Sequence, residues 1–264
     1  MTARRRRSRR SVALRTQREA VEVLHQRLVS LYGEPRPQRS LPALEELVLT
    51  ILSQNTNDTN RDRAWERLRT RFPDWDAVAR APVHEVEEAL KVGGLHRVKA
   101  RRIQETLVAV RRQHGAYTLE HLHQVDLAAA RRELSSIKGL GAKSVNCILL
   151  FSLGRPAFPV DTHVFRVLQR IGVHRTKNLT RANLELQEAV GGEICYPFHM
   201  NVIRHGRDIC HARRPECWRC GIVDLCGYPD KQQDQAGVTR PITLSPRPAR
   251  PLSGIPSFRR CTAG

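Results

Sequence analysis

The chain has 264 residues, 40% of them hydrophobic, enough for one large or two compact cores, and a net charge of +19. Its longest unbroken apolar stretch, Cys147 to Phe151, is far too short to cross a bilayer. No export signal is expected, because the arginine-rich start runs into SVALRTQREAVEV, which carries charges where an apolar region should lie.

The excess charge is uneven. Residues 1–40 carry a net +8 and residues 231–264 a net +5. Basic ends suit sequence-independent attraction to phosphates, and the lack of an apolar face argues against membrane binding. The composition of both ends predicts a disordered basic tail over 1–11 and a disordered Pro-rich tail over 231–264.

Between the tails, apolar residues recur at helical spacing. Leu44, Leu47, Val48, Ile51 and Leu52 form one such stripe. Ile103, Leu107 and Val110 form another, and Val164, Val167, Leu168 and Ile171 a third. No run alternates as a strand would. Glycine and proline punctuation then predicts about ten helices of 8–18 residues and an all-α fold.

Residues Leu134 to Phe151 read as a short helix, a Gly139-Leu140-Gly141 turn and a second helix from about Ala142. Paired glycines permit positive φ and close backbone approach. Free amides at such a turn and helix start can hold a phosphate without reading a base. Lys143 follows in the first turn of the second helix, near Lys138. The helix dipole and the neighbouring cation both disfavour its ammonium form, as a nucleophilic amine requires. A phosphate-contacting lysine is the plainer reading of the same position. Asp161, in Val160-Asp161-Thr162-His163, is placed as a helix N-cap, a role compatible with facing a site.

The densest signal comes last. Cys210-x6-Cys217-x2-Cys220-x5-Cys226 packs four cysteines into one short segment. One Cys-x2-Cys flanked by single cysteines suits a [4Fe–4S] cluster better than the two separated knuckles of structural zinc. Disulfides fit poorly, because Cys147, Cys195 and Cys261 leave an odd count.

Taken together, Gly139-x-Gly141-x-Lys143, Val160-Asp161-Thr162-His163 and His205-Gly206-Arg207 before the cysteine array resemble the endonuclease III family. These are iron–sulfur base-excision-repair glycosylases with a helix-hairpin-helix. The resemblance spans about Leu41 to Cys226 and includes Leu52-Ser53-Gln54-Asn55-Thr56 and Gly94-Leu95. It implies a six-helix barrel over 40–155 and a cluster domain built from 12–39 and 156–230, with the active-site cleft between them. It also implies a monomeric DNA glycosylase and abasic-site lyase acting on damaged double-stranded DNA, oxidised pyrimidines included, in the cytoplasm at the nucleoid. Lys143 would be the nucleophile and Asp161 the catalytic aspartate. The cluster cysteines would be Cys210, Cys217, Cys220 and Cys226. Gln54, Asn55, Leu95 and His96 would contact DNA as wedge elements, Gly139, Leu140 and Gly141 as the hairpin, and Arg213 and Arg214 as a knuckle displayed by the cluster.

Three positions depart from the family pattern. Lys138 stands where proline is usual, Ala142 where a basic residue is common, and Asn55 aligns with the wedge glutamine. Two rivals share much of the signal: an adenine-mismatch glycosylase, which normally lacks the lysine, and a non-catalytic iron–sulfur DNA-binding or redox-sensing protein.

Overall fold

The computed structural model describes residues 3–37 and 40–231, with side chains from residue 16 onward. The predicted Pro-rich tail, from residue 232, and Cys261 lie outside the described residues. Those residues are helical without strands, as the periodicity implies. The helices in chain order are α1 (Ala3–Tyr32), α2 (Ala43–Ser53), α3 (Asp58–Arg71), α4 (Trp75–Arg80), α5 (Val83–Ala89) and α6 (His96–His114). Then come α7 (Leu127–Ser136), α8 (Ala142–Cys147), α9 (Thr162–Ile171), α10 (Leu179–Ala189) and α11 (Cys195–Asp208). No helix among the described residues is long and apolar enough to cross a membrane.

Two lengths differ from expectation. Helix α1 runs back to Ala3, so the arginine-rich start expected to be disordered is helical from residue 3. Arginine is among the better helix formers, and the run simply continues the helix. At the other extreme, α4, α5 and α8 span only 6, 7 and 6 residues. Pro82 separates α4 from α5, and α8 passes into a π turn over Ile148–Ser152.

Helix starts follow local chemistry. Asn57, Asp74, Asp126, Asp161 and Asn178 each accept a hydrogen bond from the amide three residues on, at 2.8–2.9 Å. At α9 the far end is closed by Gly172 at φ 96, with the Gly172 and Val173 amides both returning to Leu168 O.

Contacts divide the chain into two compact units, and the partition falls within the Gly139–Gly141 turn. The first unit contains the described residues before 38 together with 140–231. Its core joins Val21, Leu24 and Leu28 of α1 to Val164 and Leu168 of α9, Leu186 of α10, and Phe198 and Val202 of α11. Phe158 stacks on Phe198 at 5.5 Å. The second unit, 40–139, buries the α2 stripe (Leu44, Leu47, Val48, Ile51, Leu52) with Trp65, Leu68, Ile103 and Leu107.

Candidate active site and cysteine centre

Within the first unit, Lys143 occupies the second position of α8, half-buried, and Asp161 caps α9 by accepting from Val164 N at 2.8 Å. The two lie near a third group that sequence reasoning missed. His199, on α11, is 3% exposed and feels the charges of both Asp161 and Lys143. Its Nδ1 lies 2.9 Å from Pro159 O. A carbonyl can only accept, so Nδ1 carries the hydrogen and, in the neutral ring, Nε2 is a bare acceptor. Burial pushes the imidazole down to about 4, Asp161 opposing and Lys143 reinforcing that shift. A neutral imidazole thus stands beside a lysine and a carboxylate. Nothing in the sequence marks His199, which sits among apolar residues of a helix.

The turn preceding Lys143 uses its glycines differently from one another. Gly139 has φ 89, a conformation that demands glycine, while a Cβ there would lie 2.8 Å from Arg102 Nε, the far part of a flexible side chain that can move aside. Gly141 has φ −84 and open space around it, and serves as the N-cap of α8. The positive φ that both glycines permit is used at Gly139 alone. Leu140 between them is buried.

Still in the first unit, Cys210, Cys217, Cys220 and Cys226 all line one small, partly open cavity. None of the four is in a disulfide, nor are Cys147 and Cys195 among the described residues. The remaining lining is largely apolar, with Val167, Ile171, Ile209, Pro215 and Val223. Burial first, then its three fellow cysteines, raise the Cys220 thiol to about 11. That mutual repulsion is what a bound cation relieves, so the donor set fits a thiolate-ligated metal centre.

The surroundings supply donors to the sulfurs. Arg170 Nη1 donates to Cys210 Sγ at 3.2 Å, and the Tyr228 amide to Cys226 Sγ at 3.4 Å. His205 Nε2 lies 3.6 Å from Cys220 Sγ, while its Nδ1 is 2.9 Å from the Tyr32 hydroxyl. Helix α9 grips this loop with two arginines. Arg166 donates to the carbonyls of Cys210 and Gly206, and Arg170 to those of His211 and Ala212. Close packing explains two glycines here. A Cβ on Gly206 would meet His163 Cβ at 3.1 Å, and one on Gly221 would meet Leu31 Cδ2 at 2.7 Å. Arg213 and Arg214 are exposed in the loop between the first two cysteines.

In the second unit, Gln54 accepts from Arg102 Nη1 at 2.6 Å, whereas Asn55 beside it is exposed. Leu95 is 53% exposed at the start of α6, and His96 is half-buried. One buried lysine ties both segments down: Lys99 Nζ donates to Leu52 O at 2.7 Å and to Gly93 O at 2.8 Å. Desolvation lowers that ammonium to about 8.

The backbone adds a signal that no sequence pattern carries. Among the described residues, the non-glycine positions with positive φ are Asn55 (52°), Leu95 (48°) and Arg214 (51°). Left-handed backbone is costly for a leucine or arginine and concentrates at functional positions.

Comparison with known proteins agrees with this geometry. Residues 48–190 match the family model described as HhH-GPD superfamily base excision DNA repair protein. Endonuclease III of Escherichia coli K12 is 32% identical over 202 residues, covering 75% of this chain and 92% of that protein. An Arabidopsis thaliana protein whose name proposes it as a DNA glycosylase is 36% identical over 168 residues, 63% of this chain; the match spans only 57% of that plant protein. Among solved structures, a non-covalent endonuclease III–DNA complex aligns at TM-score 0.66 and 25% identity, over 79% of this chain and 94% of that one. A trapped endonuclease III–DNA covalent intermediate aligns equally well, over 79% of this chain and 95% of the other.

Proposed function

Because the chain belongs to the endonuclease III family, within the HhH-GPD superfamily of base excision DNA repair proteins and a class of DNA glycosylases and abasic-site lyases, we propose that Lys143 is its nucleophile and Asp161 its catalytic carboxylate. The observation that carries this reading is that Lys143 and Asp161 share one unit and both act on the charge of buried His199.

The substrate is damaged double-stranded DNA. A glycosidic bond inside a duplex is shielded, so the damaged nucleotide leaves the stack, at a cost of a few kcal/mol. The Lys143 amine then attacks C1′ and the C1′–base bond breaks, its electron pair leaving with the base. Asp161 orients the amine, accepts its proton and offsets positive charge developing on the sugar. Loss of that proton and opening of the sugar give a Schiff base, which acidifies C2′. Removal of the C2′ proton expels the 3′ phosphate by β-elimination. His199, neutral through burial, adds no second cation to compete with Lys143, and its Nε2 lone pair is a further proton acceptor in the same unit.

Wedge and grip residues follow the strained backbone. Asn55 and Leu95 present side chains from left-handed positions to fill the space left by the flipped nucleotide, and Arg214 with Arg213 contacts phosphate. Gln54, held by Arg102, is the better supported but less available of the adjacent polar pair. The amides of the turn containing Gly139, Leu140 and Gly141 hold a backbone phosphate.

Cys210, Cys217, Cys220 and Cys226 would hold a [4Fe–4S] cluster. When bound it contributes folding energy and a fixed charge, and takes no part in bond breaking. Metal-bound thiolates only accept, so His205 donates Nε2–H to Cys220 and its Nδ1 accepts from the Tyr32 hydroxyl. Burial raises that phenol above its ordinary value and keeps it protonated, as this arrangement needs.

Borohydride trapping tests the assignment. Wild-type protein should form a covalent adduct on duplexes with an abasic site or thymine glycol. Lys143→Ala should form none while retaining duplex affinity, since affinity rests on backbone amides and basic side chains. A trapped adduct with Lys143→Ala would assign the nucleophile to another amine.

A further inference from the structure

A second donor cluster lies in the unit 40–139, apart from the residues given roles above. His114 ends α6, His121 lies in the 3-10 turn Glu120–His123, and Glu133 lies in α7. Three separate elements thus bring two imidazoles and a carboxylate together, with one donor atom of each within 4.8 Å of the others. His121 Nε2 is 2.8 Å and His114 Nε2 3.2 Å from the same oxygen, Glu133 Oε1. The two rings face each other at 4.4 Å with an interplanar angle of 33°. The side chains are 18%, 36% and 21% exposed for His114, His121 and Glu133, partly shielded but reachable by an ion.

We propose that His114, His121 and Glu133 form a binding site for a zinc-class divalent ion that clips α6, the 3-10 turn and α7 together. The donor chemistry selects the metal. Imidazole nitrogens suit zinc and its neighbours, whereas calcium and magnesium take oxygen-rich sets. Ligands at about 2.0–2.2 Å in a tetrahedron lie roughly 3.4 Å apart. The two separations to Glu133, 2.8 and 3.2 Å, are near that value and the two histidine donors lie within 4.8 Å of each other, so rotation of the side chains suffices to admit the ion. Both Nε2 atoms then give their lone pairs to the metal instead of donating hydrogens to one oxygen. Three protein ligands leave a fourth position for water. Glu133 stands near the end of α7, just ahead of the Gly139–Gly141 turn, so the clip would stiffen the helix that feeds the hairpin. This inference does not depend on the assignment of Lys143, and its failure would leave the trapping result untouched.

The test uses the full chain, purified with its cysteine centre loaded, and Zn²⁺ or Co²⁺ alone as probe. Calorimetric titration of wild type should show one more bound zinc per chain than His121→Ala or Glu133→Gln, with equal iron in all three. Zinc should raise the melting temperature of wild type only. Cobalt in wild type should give ligand-field bands without thiolate charge-transfer absorption. Should His121→Ala fail to fold, Glu133→Gln decides, because it conserves size and keeps an oxygen that accepts both histidines. Should both fail, the wild-type cobalt spectrum decides. Sulfur-to-cobalt bands alone, equal zinc uptake by wild type and variants, or no uptake by wild type would each overturn the proposal. The last result would leave a hydrogen-bonded triad only.

Discussion

The two units hold the residues proposed to act on DNA by opposite means. In the first, Lys143 and Asp161 sit at helix starts, and Asp161 spends its side chain on a regular cap. The same helix that begins after Asp161 grips the cysteine loop lower down through Arg166 and Arg170. The candidate catalytic carboxylate and the cysteine loop are therefore both held by one short helix. In the second unit, Asn55 and Leu95 leave regular geometry altogether, exposed and left-handed, on segments anchored by one buried lysine. Bond chemistry needs atoms held to fractions of an ångström, which helices provide. A wedge must project into a partner that is not yet there, and local strain is tolerated where the surroundings over-determine it.

The largest expected effect comes from cutting the metal-based support of the first unit. Cys220→Ser should lose iron and unfold 140–231 while 40–139 stays protected from proteolysis. Structural metal sites contribute on the order of 10 kcal/mol, comparable to the stability of a whole domain. Iron analysis with limited proteolysis and mapping of the cut sites measures it. Iron loss with no change in cleavage pattern would break the contrast, because the first unit would then stand on its apolar core alone.

A smaller loss is expected at Lys99. Lys99→Met fills similar space but leaves the carbonyls of Leu52 and Gly93 without their buried donor. The cost should be about 3 kcal/mol, from two charge-assisted hydrogen bonds lost and two acceptors stranded. Urea denaturation followed by a probe in 40–139 reads it, and iron content should not move. A variant as stable as wild type would show that the wedge segments need no such anchor.

How far the sequence led depends on the kind of residue. The helical stripes were legible because spacing alone carries them, and the four cysteines stood out by their spacing, whereas Lys143 and Asp161 became candidates for chemistry only through the family resemblance. The partition within the hairpin was not, since the contacts of 140–152 depend on tertiary packing. Which of the two glycines takes positive φ was not legible, because glycine type permits it without requiring it. His199 gave no signal, since a buried histidine in an apolar helix reads as core. Arg166 and Arg170 read as ordinary surface charges until their acceptors are known. Leu95 and Arg214 carry strain invisible in residue type, because left-handed backbone is unexpected outside glycine and asparagine.

That strain supplies the smallest and most specific prediction. Leu95 is 53% exposed at φ 48, so its side chain buries little to offset its backbone cost. Leu95→Gly removes roughly 1–2 kcal/mol of left-handed penalty and adds back about 0.5–1 kcal/mol of unfolded-chain entropy. The net gain in stability should lie between zero and about 1.5 kcal/mol, read from the denaturation midpoint at constant slope. Activity should move the other way. Without the leucine only Asn55 is left to fill the stack, so single-turnover excision of a paired oxidised pyrimidine should slow by at least about tenfold, equivalent to about 1.4 kcal/mol of barrier. Cleavage at an abasic site should suffer less, because that site needs little extrusion. A gain in stability with unchanged excision would make Leu95 an ordinary strained loop residue and remove it from the wedge. A loss of stability would show that its side chain, exposed as it is, supports the start of α6.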